Sequence, residues 1–412
     1  MSKLKRICML SVHGYFDPVP VLGATDTGGQ VTYVIELSKA LAELGIKVDI
    51  YTRRFGGRSE VDAVNDDVRV IRIPCGSDEF IRKEDLFPHL DEFVNNMEAY
   101  IRKNELTYDL FHSHYWDAGY SGMNLAERFG LPFIYTAHSL GAWKKEQMGG
   151  DPEEMEKLFK FTERIHWENI IFRKATAQTV TTLDGKETYK RLYDFESDDL
   201  VIIPPGVDVR RFRPTPTEFS SGIETPESYI FALSRIDSNK GIDYLIKAFA
   251  LVRKKSNAVL LIGGGSKNPK EHEIDVKNNL LQLVDSLDLR DRVTFTGYVR
   301  DEDLDTYYRN ARVFVLPSKY EPFGMTVLEA MACNTPVVAT GYGGLRHVLT
   351  DRRDSLLVDP SNTEELASAI IEVLTDEMLA AKLSEVGLRL IERRFSWQSI
   401  ARQTVSFYEK YV

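Results

Sequence analysis

The stretch ICMLSVHGYFDPVPVLGATDTGGQVTYVIELSKALAELGIKVDIYT, residues 7–52, decides the architecture. Residues 7–12 are an apolar run of strand length, closed by a loop rich in Gly, Pro and Asp. Val31, Val34, Ile35, Leu37, Leu41 and Leu44 then recur with the period of a helix that buries one face. Gly45 suits the left-handed residue that ends such a helix, and residues 46–52 read as the next strand. Strand, helix, strand is the repeating unit of a parallel sheet covered by helices.

Outward from this unit the alternation continues, with strands expected at 68–73, 110–111, 133–136, 178–182 and 200–203. Together they predict a doubly wound, Rossmann-like α/β domain over residues 1–212. Residues 213–227 carry Pro214, Pro216 and Pro226 among Thr, Ser and Gly without hydrophobic period, the composition of a linker. The pattern then restarts at 229–233, 258–262, 293–296, 313–316, 336–339 and 356–358, predicting a second Rossmann-like domain over 213–394. Residues 395–412 read as a terminal helix with Ile400, Thr404, Phe407 and Tyr411 on one face. Open sheets of this kind bind ligands beyond the carboxyl ends of their strands, so a crevice between two such domains is the expected site.

Composition narrows the partners. The 412 residues include 52 Lys and Arg against 62 Asp and Glu, a net charge of −10, which argues against nucleic acid or an anionic membrane as partner. No apolar run approaches the roughly 18 to 20 residues of a membrane span. Residues 7–12 are too short for a signal core. Cys8, Cys75 and Cys333 are odd in number and far apart, which suits a reducing cytoplasm and offers no metal-ligand spacing.

Several positions carry chemistry. Asp26-Thr27-Gly28-Gly29-Gln30 enters the first helix, where free N–H groups and glycine suit a phosphate, although a flexible helix entry has the same composition. Arg235 and Lys240 follow the first strand of the second domain, where two cations could neutralise a diphosphate; a solvated basic loop is the alternative. Glu321-Pro322-Phe323-Gly324 precedes a helix that holds Glu329. If mostly helical, that interval separates the two carboxylates by roughly 12 Å, too far for a glycosidase pair and suited to bracketing an elongated ligand. His138, with Ser139-Leu140-Gly141, ends a strand at the crevice edge. His112 and His114 share a strand face without a third ligand at recognisable spacing, and Asp301, Asp303 and Asp305 start a helix, where N-capping accounts for them. No metal and no cofactor is expected.

Taken in order, Gly28-Gly29, His138-Ser139-Leu140-Gly141, Ile203-Pro204-Pro205-Gly206-Val207-Asp208, the Arg235 and Lys240 pair, and Glu321 through Glu329 resemble the retaining glycosyltransferases of family 4. Ser113-His114-Tyr115 and Phe159-Lys160-Phe161 resemble its sucrose-phosphate synthase group. The resemblance implies the GT-B fold, with two Rossmann-like domains facing across a cleft and the last helix crossing back to the first. It also implies hexose transfer from a nucleotide diphosphate sugar to fructose 6-phosphate. By the family pattern Arg235 and Lys240 bind the diphosphate, Glu329 the ribose, and Glu321 with His138 the hexose. Gly28, Gly29, Phe323 and Gly324 complete the donor site. Gly28, Gln30, Lys83, Tyr115, Ser139, Lys144 and Arg164 match the acceptor site, with Glu163 standing where the group can carry a second basic residue. Residues 13–20 and 143–150 resemble a branch whose donor is GDP-mannose, with UDP-glucose the alternative; the loops near Gly264 and Tyr298 would meet the base. A sugar-phosphate phosphatase acting on the product is an expected partner. An epimerase-like isomerase and a sugar-nucleotide sensor would share the fold, but neither would form a product with an acceptor.

Overall fold

The computed structural model describes residues 3–14, 16–18, 29–218 and 220–412. Two compact units are formed, one by Met1–Gly206 with Trp397–Val412 and the other by Val207–Ser396. Gly28 lies outside the described residues.

The first unit is built on β1 (Arg6–Leu10), β2 (Lys47–Arg54), β3 (Val61–Ala63), β4 (Val68–Pro74), β5 (Leu110–His114), β6 (Phe133–Thr136), β7 (Ala177–Val180) and β8 (Leu200–Ile202). They lie in the order β3-β4-β2-β1-β5-β6-β7-β8. Every pairing is parallel except that of β3 with β4. The alternation of side chains along a strand fills two cores: Ile7 and Met9 face one, Cys8 and Leu10 the other. Helix Gly29–Ala42 and the terminal helix Trp397–Tyr408 bury Val34, Leu37, Ile400 and Tyr408 in the core with Ile7.

The second unit repeats the plan with β9 (Tyr229–Leu233), β10 (Val259–Gly263), β11 (Val293–Gly297), β12 (Val313–Leu316), β13 (Val337–Thr340) and β14 (Leu356–Val358). Their order is β11-β10-β9-β12-β13-β14, all parallel. Again the strands fill both faces, Ile230 and Ala232 in one core and Tyr229 and Phe231 in the other.

The chain changes unit at Gly206–Val207, 212 − 206 = 6 residues earlier than the proline-rich linker suggests, and returns 396 − 394 = 2 residues later than expected. The reason is apolar packing: Val207 and Phe212 are buried in the second unit, and the Val207 N–H donates to Phe395 O at 2.7 Å. Among the described residues no helix is long and apolar enough to cross a membrane.

Candidate functional site

In the second sheet the strand order reverses between β9 and β12, the switch point at which open α/β sheets leave a crevice. The turn Ser238–Lys240 follows β9, with the Asp237 carboxylate accepting from the Asn239 N–H at 2.9 Å. Gly241, at φ +64°, lets this turn lie against the end of β12: a Cβ there would stand 1.9 Å from Pro317 O. The approach brings Lys240 to Glu321. Lys240 Nζ donates to Glu321 Oε2 at 2.9 Å, and Ser318 Oγ donates to the same oxygen at 3.2 Å. Both side chains are largely covered, at 17% and 14% exposure. Arg235 is exposed and has no ion-pair partner among the described residues. Thus a pair of opposite charges and a solvent-facing guanidinium sit at one sheet's switch point.

Glu329 lies in helix Met325–Ala332, which starts after Gly324 at φ +81°. Glu321 is outside that helix, bridged to Gly343, so a helical rise of 1.5 Å per residue does not describe the whole interval between the carboxylates. The Phe323 ring is buried and packs toward Phe395, 6.4 Å between centroids, so its side chain belongs to the core. Tyr308 OH donates to Glu329 Oε2 at 2.7 Å. Burial pushes the Glu329 carboxyl up to about 7, against the downward pull of that hydrogen bond and of Arg211. The folded protein therefore holds this proton more tightly than the unfolded chain, and stability is lost as pH rises from the ordinary carboxylate range through about 7. Glu329→Gln removes the titration. Its melting temperature is expected to gain on the wild type between pH 5 and pH 8, read by thermal denaturation; a constant difference across that range would contradict the raised pKa.

In the first unit the order reverses between β1 and β5. Gln30 spans the two, its Nε2 donating to Ser11 Oγ at 2.9 Å and to His114 O at 3.2 Å. Tyr115 follows β5 at φ +78° and His138 follows β6 at φ +55°, positive angles that cost a non-glycine residue backbone strain. His138 Nε2 and His114 Nδ1 share a hydrogen bond of 2.9 Å, while the buried His114 Nε2 has no partner among the described residues. An orphaned buried N–H is rarer than an under-satisfied acceptor. This favours donation from His114 Nδ1 to His138 Nε2, leaving the proton of His138 on Nδ1. Burial pushes His112 and His138 down to about 3 and His114 well below the ordinary imidazole range, so all three are neutral near pH 7. His112 spends both nitrogens, on Tyr408 OH at 2.5 Å and Thr136 Oγ1 at 2.8 Å, and neither is left for a metal.

Arg164 is placed differently from a phosphate-facing cation. It is 4% exposed. Its Nε donates to Glu168 Oε1 at 2.8 Å, Nη1 to Tyr115 OH at 2.7 Å, and Nη2 to Ser139 O at 2.7 Å. Glu168, fully buried, also accepts from the Gly141 N–H and from Tyr193 OH. This network fixes residues 138–141. Lys83 sits in the turn Lys83–Asp85, which is tied to the segment 158–160 through the preceding Arg82, Nη2 to Leu158 O at 3.0 Å, and through Lys160 Nζ to Asp85 at 2.8 Å. Lys144 Nζ lies 4.6 Å above the Phe159 ring beside that segment, so the two lysines share a neighbourhood.

The aspartates at 301, 303 and 305 do not cap their helix. Arg300 occupies the cap of Asp301–Asn310 and instead donates to Asp303 at 2.8 and 3.0 Å, while Arg309 donates to Asp305 at 2.9 Å. Glu168 and Tyr308 do not stand out in the sequence as functional. The four-residue spacing of Arg164 and Glu168 is a legible signal for the first; the second acts through a contact between separate helices.

Two parallel α/β units, each with its polar constellation at a switch point, define the GT-B class, and the chain belongs to the family 4 glycosyltransferases. The model for "Glycosyltransferase Family 4" matches residues 27–211 and that for "Glycosyl transferases group 1" matches residues 215–389. The chain is similar to mannosylfructose-phosphate synthase of Agrobacterium fabrum, at 42% identity covering 99% of this chain and 92% of that protein. It is also similar to D-inositol 3-phosphate glycosyltransferase of Xylanimonas cellulosilytica, at 32% identity over 98% of this chain and 96% of the other. Among solved structures, sucrose-phosphate synthase from Thermosynechococcus elongatus superposes with a TM-score of 0.79, at 33% identity and 98% coverage of both chains.

Proposed function

We propose that this enzyme transfers mannose from GDP-mannose to the C2 hydroxyl of fructose 6-phosphate, with retention at the donor anomeric carbon. The observation that carries the reading is 42% identity to a mannosylfructose-phosphate synthase over 99% of this chain, a span that takes in both units. In the step itself the bond from the anomeric carbon to the β-phosphate oxygen breaks and a bond to the fructose oxygen forms. The departing diphosphate takes the hydroxyl proton. Lys240 and Arg235 neutralise the charge that develops on it.

Glu329 accepts from the ribose hydroxyls. Glu321 meets the hexose once Lys240 turns to the phosphates, and the His138 Nδ1–H donates to a hexose hydroxyl. Lys83 and Lys144 hold the acceptor phosphate, while the buried Arg164 acts through Tyr115 and Ser139. The product keeps that phosphate, which a sugar-phosphate phosphatase would remove.

The likeness to a sucrose-phosphate synthase structure favours a second reading, UDP-glucose with the same acceptor. Purified protein is to be incubated with fructose 6-phosphate and, separately, GDP-mannose, UDP-glucose and ADP-glucose, with products identified by mass and anomeric coupling. Consumption of GDP-mannose only with acceptor, giving a retained glycosidic product, is expected. Donor breakdown that ignores the acceptor would sink the proposal, and preferential use of UDP-glucose would select the second reading.

A further inference from the structure

Beyond the carboxyl ends of β10 and β11 the second unit holds a cavity of about 340 Å³. It adjoins the cation loop. Gly264, at φ +119°, brings its own loop so close to the loop after β9 that a Cβ would stand 1.7 Å from Ser234 O, and Ile236, next to Arg235, lines the cavity. A nucleoside diphosphate with its phosphates at Arg235 and Lys240 would reach this space with its base.

The walls suit a flat apolar ring. Ile274 and Leu281 lie seven residues apart in helix Glu271–Ser286, line the cavity together with Phe295, and remain 45% and 40% exposed. Exposed apolar side chains that rim a cavity are surface a ligand gains by covering. At the edge stand two opposite charges. Glu273 is oriented by the Ser266 N–H at 2.7 Å and the Ser266 hydroxyl at 2.6 Å, one donor to each carboxylate oxygen, which leaves each oxygen a further lone pair. Lys277 is one helical turn on, lines the same cavity, and has no ion-pair partner among the described residues.

From this juxtaposition we infer that Glu273 and Lys277 read the base of the donor and select guanine, an assignment that rests on the nucleotide-sugar reading above. Guanine presents one acceptor, O6, beside two donors, N1–H and the N2 amine. An ammonium next to a carboxylate matches that order, with Lys277 donating to O6 and Glu273 accepting from N1–H and N2. Uracil sets its single N3–H between two carbonyl oxygens, so a carboxylate that takes this proton also faces a second acceptor. Adenine places a lone pair at N1, where Glu273 needs a donor.

The test is calorimetric titration of the full chain with GDP, UDP and ADP, in wild type, Glu273→Gln and Lys277→Met. Wild type is expected to prefer GDP, and Glu273→Gln to weaken GDP by about tenfold to a hundredfold while leaving UDP unchanged. Because Glu273 also braces Ser266, Lys277→Met is the second arm. It removes no protein ion pair and should weaken GDP alone, with an unaltered melting temperature. Wild-type binding of GDP with both variants unchanged would overturn the assignment and leave the nucleotide-sugar reading standing. Equal losses of GDP and UDP, or a wild type that prefers UDP, would also overturn it. Binding of none of the three would overturn both.

Discussion

Lys240→Ala is expected to lower kcat/KM for the donor by about two to three orders of magnitude, with a melting temperature within about 4 °C of the wild type. The size follows from where charge develops. A preorganised cation beside a departing diphosphate is most valuable in the transition state, so kcat should fall more than the donor KM rises. A second effect adds to the first. Without Lys240, Glu321 keeps only the Ser318 hydroxyl as side-chain partner among the described residues and presents an uncompensated carboxylate to an anionic leaving group. Stability should fall by less than for a pair in the core, because this one lies at a loop end where water can reach the Glu321 carboxylate once Lys240 is gone. Arg235→Ala tests the same field without this complication, since Arg235 is exposed and has no ion-pair partner among the described residues. It should slow turnover and leave melting unaltered. Steady-state kinetics beside thermal denaturation decides; activity and stability falling together in Lys240→Ala would remove its catalytic role.

Lys240 and Glu321 also show how much of the site was readable. Lys240 stands out in the sequence for its place after a strand, because a parallel sheet delivers the ends of its strands to one edge, and Glu321 for its place before the helix that holds Glu329. Their direct pairing does not. It depends on Gly241 packing onto Pro317 O, a contact between segments whose spacing in the chain says nothing of distance. Strands such as β1 and β12 were legible because burial on both faces makes them unbroken apolar runs. By contrast β3, Val-Asp-Ala at a sheet edge with Val61 37% exposed, has no such run and was missed. The proline-rich stretch after Arg213 reads as a linker yet lies inside the second unit; the crossing at Gly206 is set by the burial of Val207 and Phe212, which look like ordinary loop residues. Glu329 was recognised as a ligand-facing carboxylate, whereas its raised pKa arises from burial beside Tyr308 on another helix. Arg164 shows the converse. Its place in the acceptor pattern was legible, and its burial against Glu168 was not, because a helix start rich in charge reads as surface.

That burial makes Glu168→Ala the substitution with the largest expected loss of stability. The carboxylate is fully buried and accepts from Arg164, the Gly141 N–H and Tyr193 OH. Its removal leaves a guanidinium, 4% exposed, without a counter-charge, and orphans two further donors. Breaking one side of a buried ion pair costs about 3 to 5 kcal/mol. In a unit of 206 + 16 = 222 residues this corresponds to a fall of about 6 to 20 °C in melting temperature. Glu168→Gln keeps an acceptor for Gly141 and should fall between. The double variant Arg164→Met, Glu168→Leu separates structure from function: with both charges gone, much of the stability should return, since apolar pairs of similar volume replace buried ion pairs at little cost. Acceptor binding should not return, because Tyr115 OH and Ser139 O lose the guanidinium that orients them. Thermal denaturation and the KM for fructose 6-phosphate, measured on all three variants, provide the comparison. A double variant that regains both stability and the wild-type acceptor KM would show that Arg164 and Glu168 serve the fold alone.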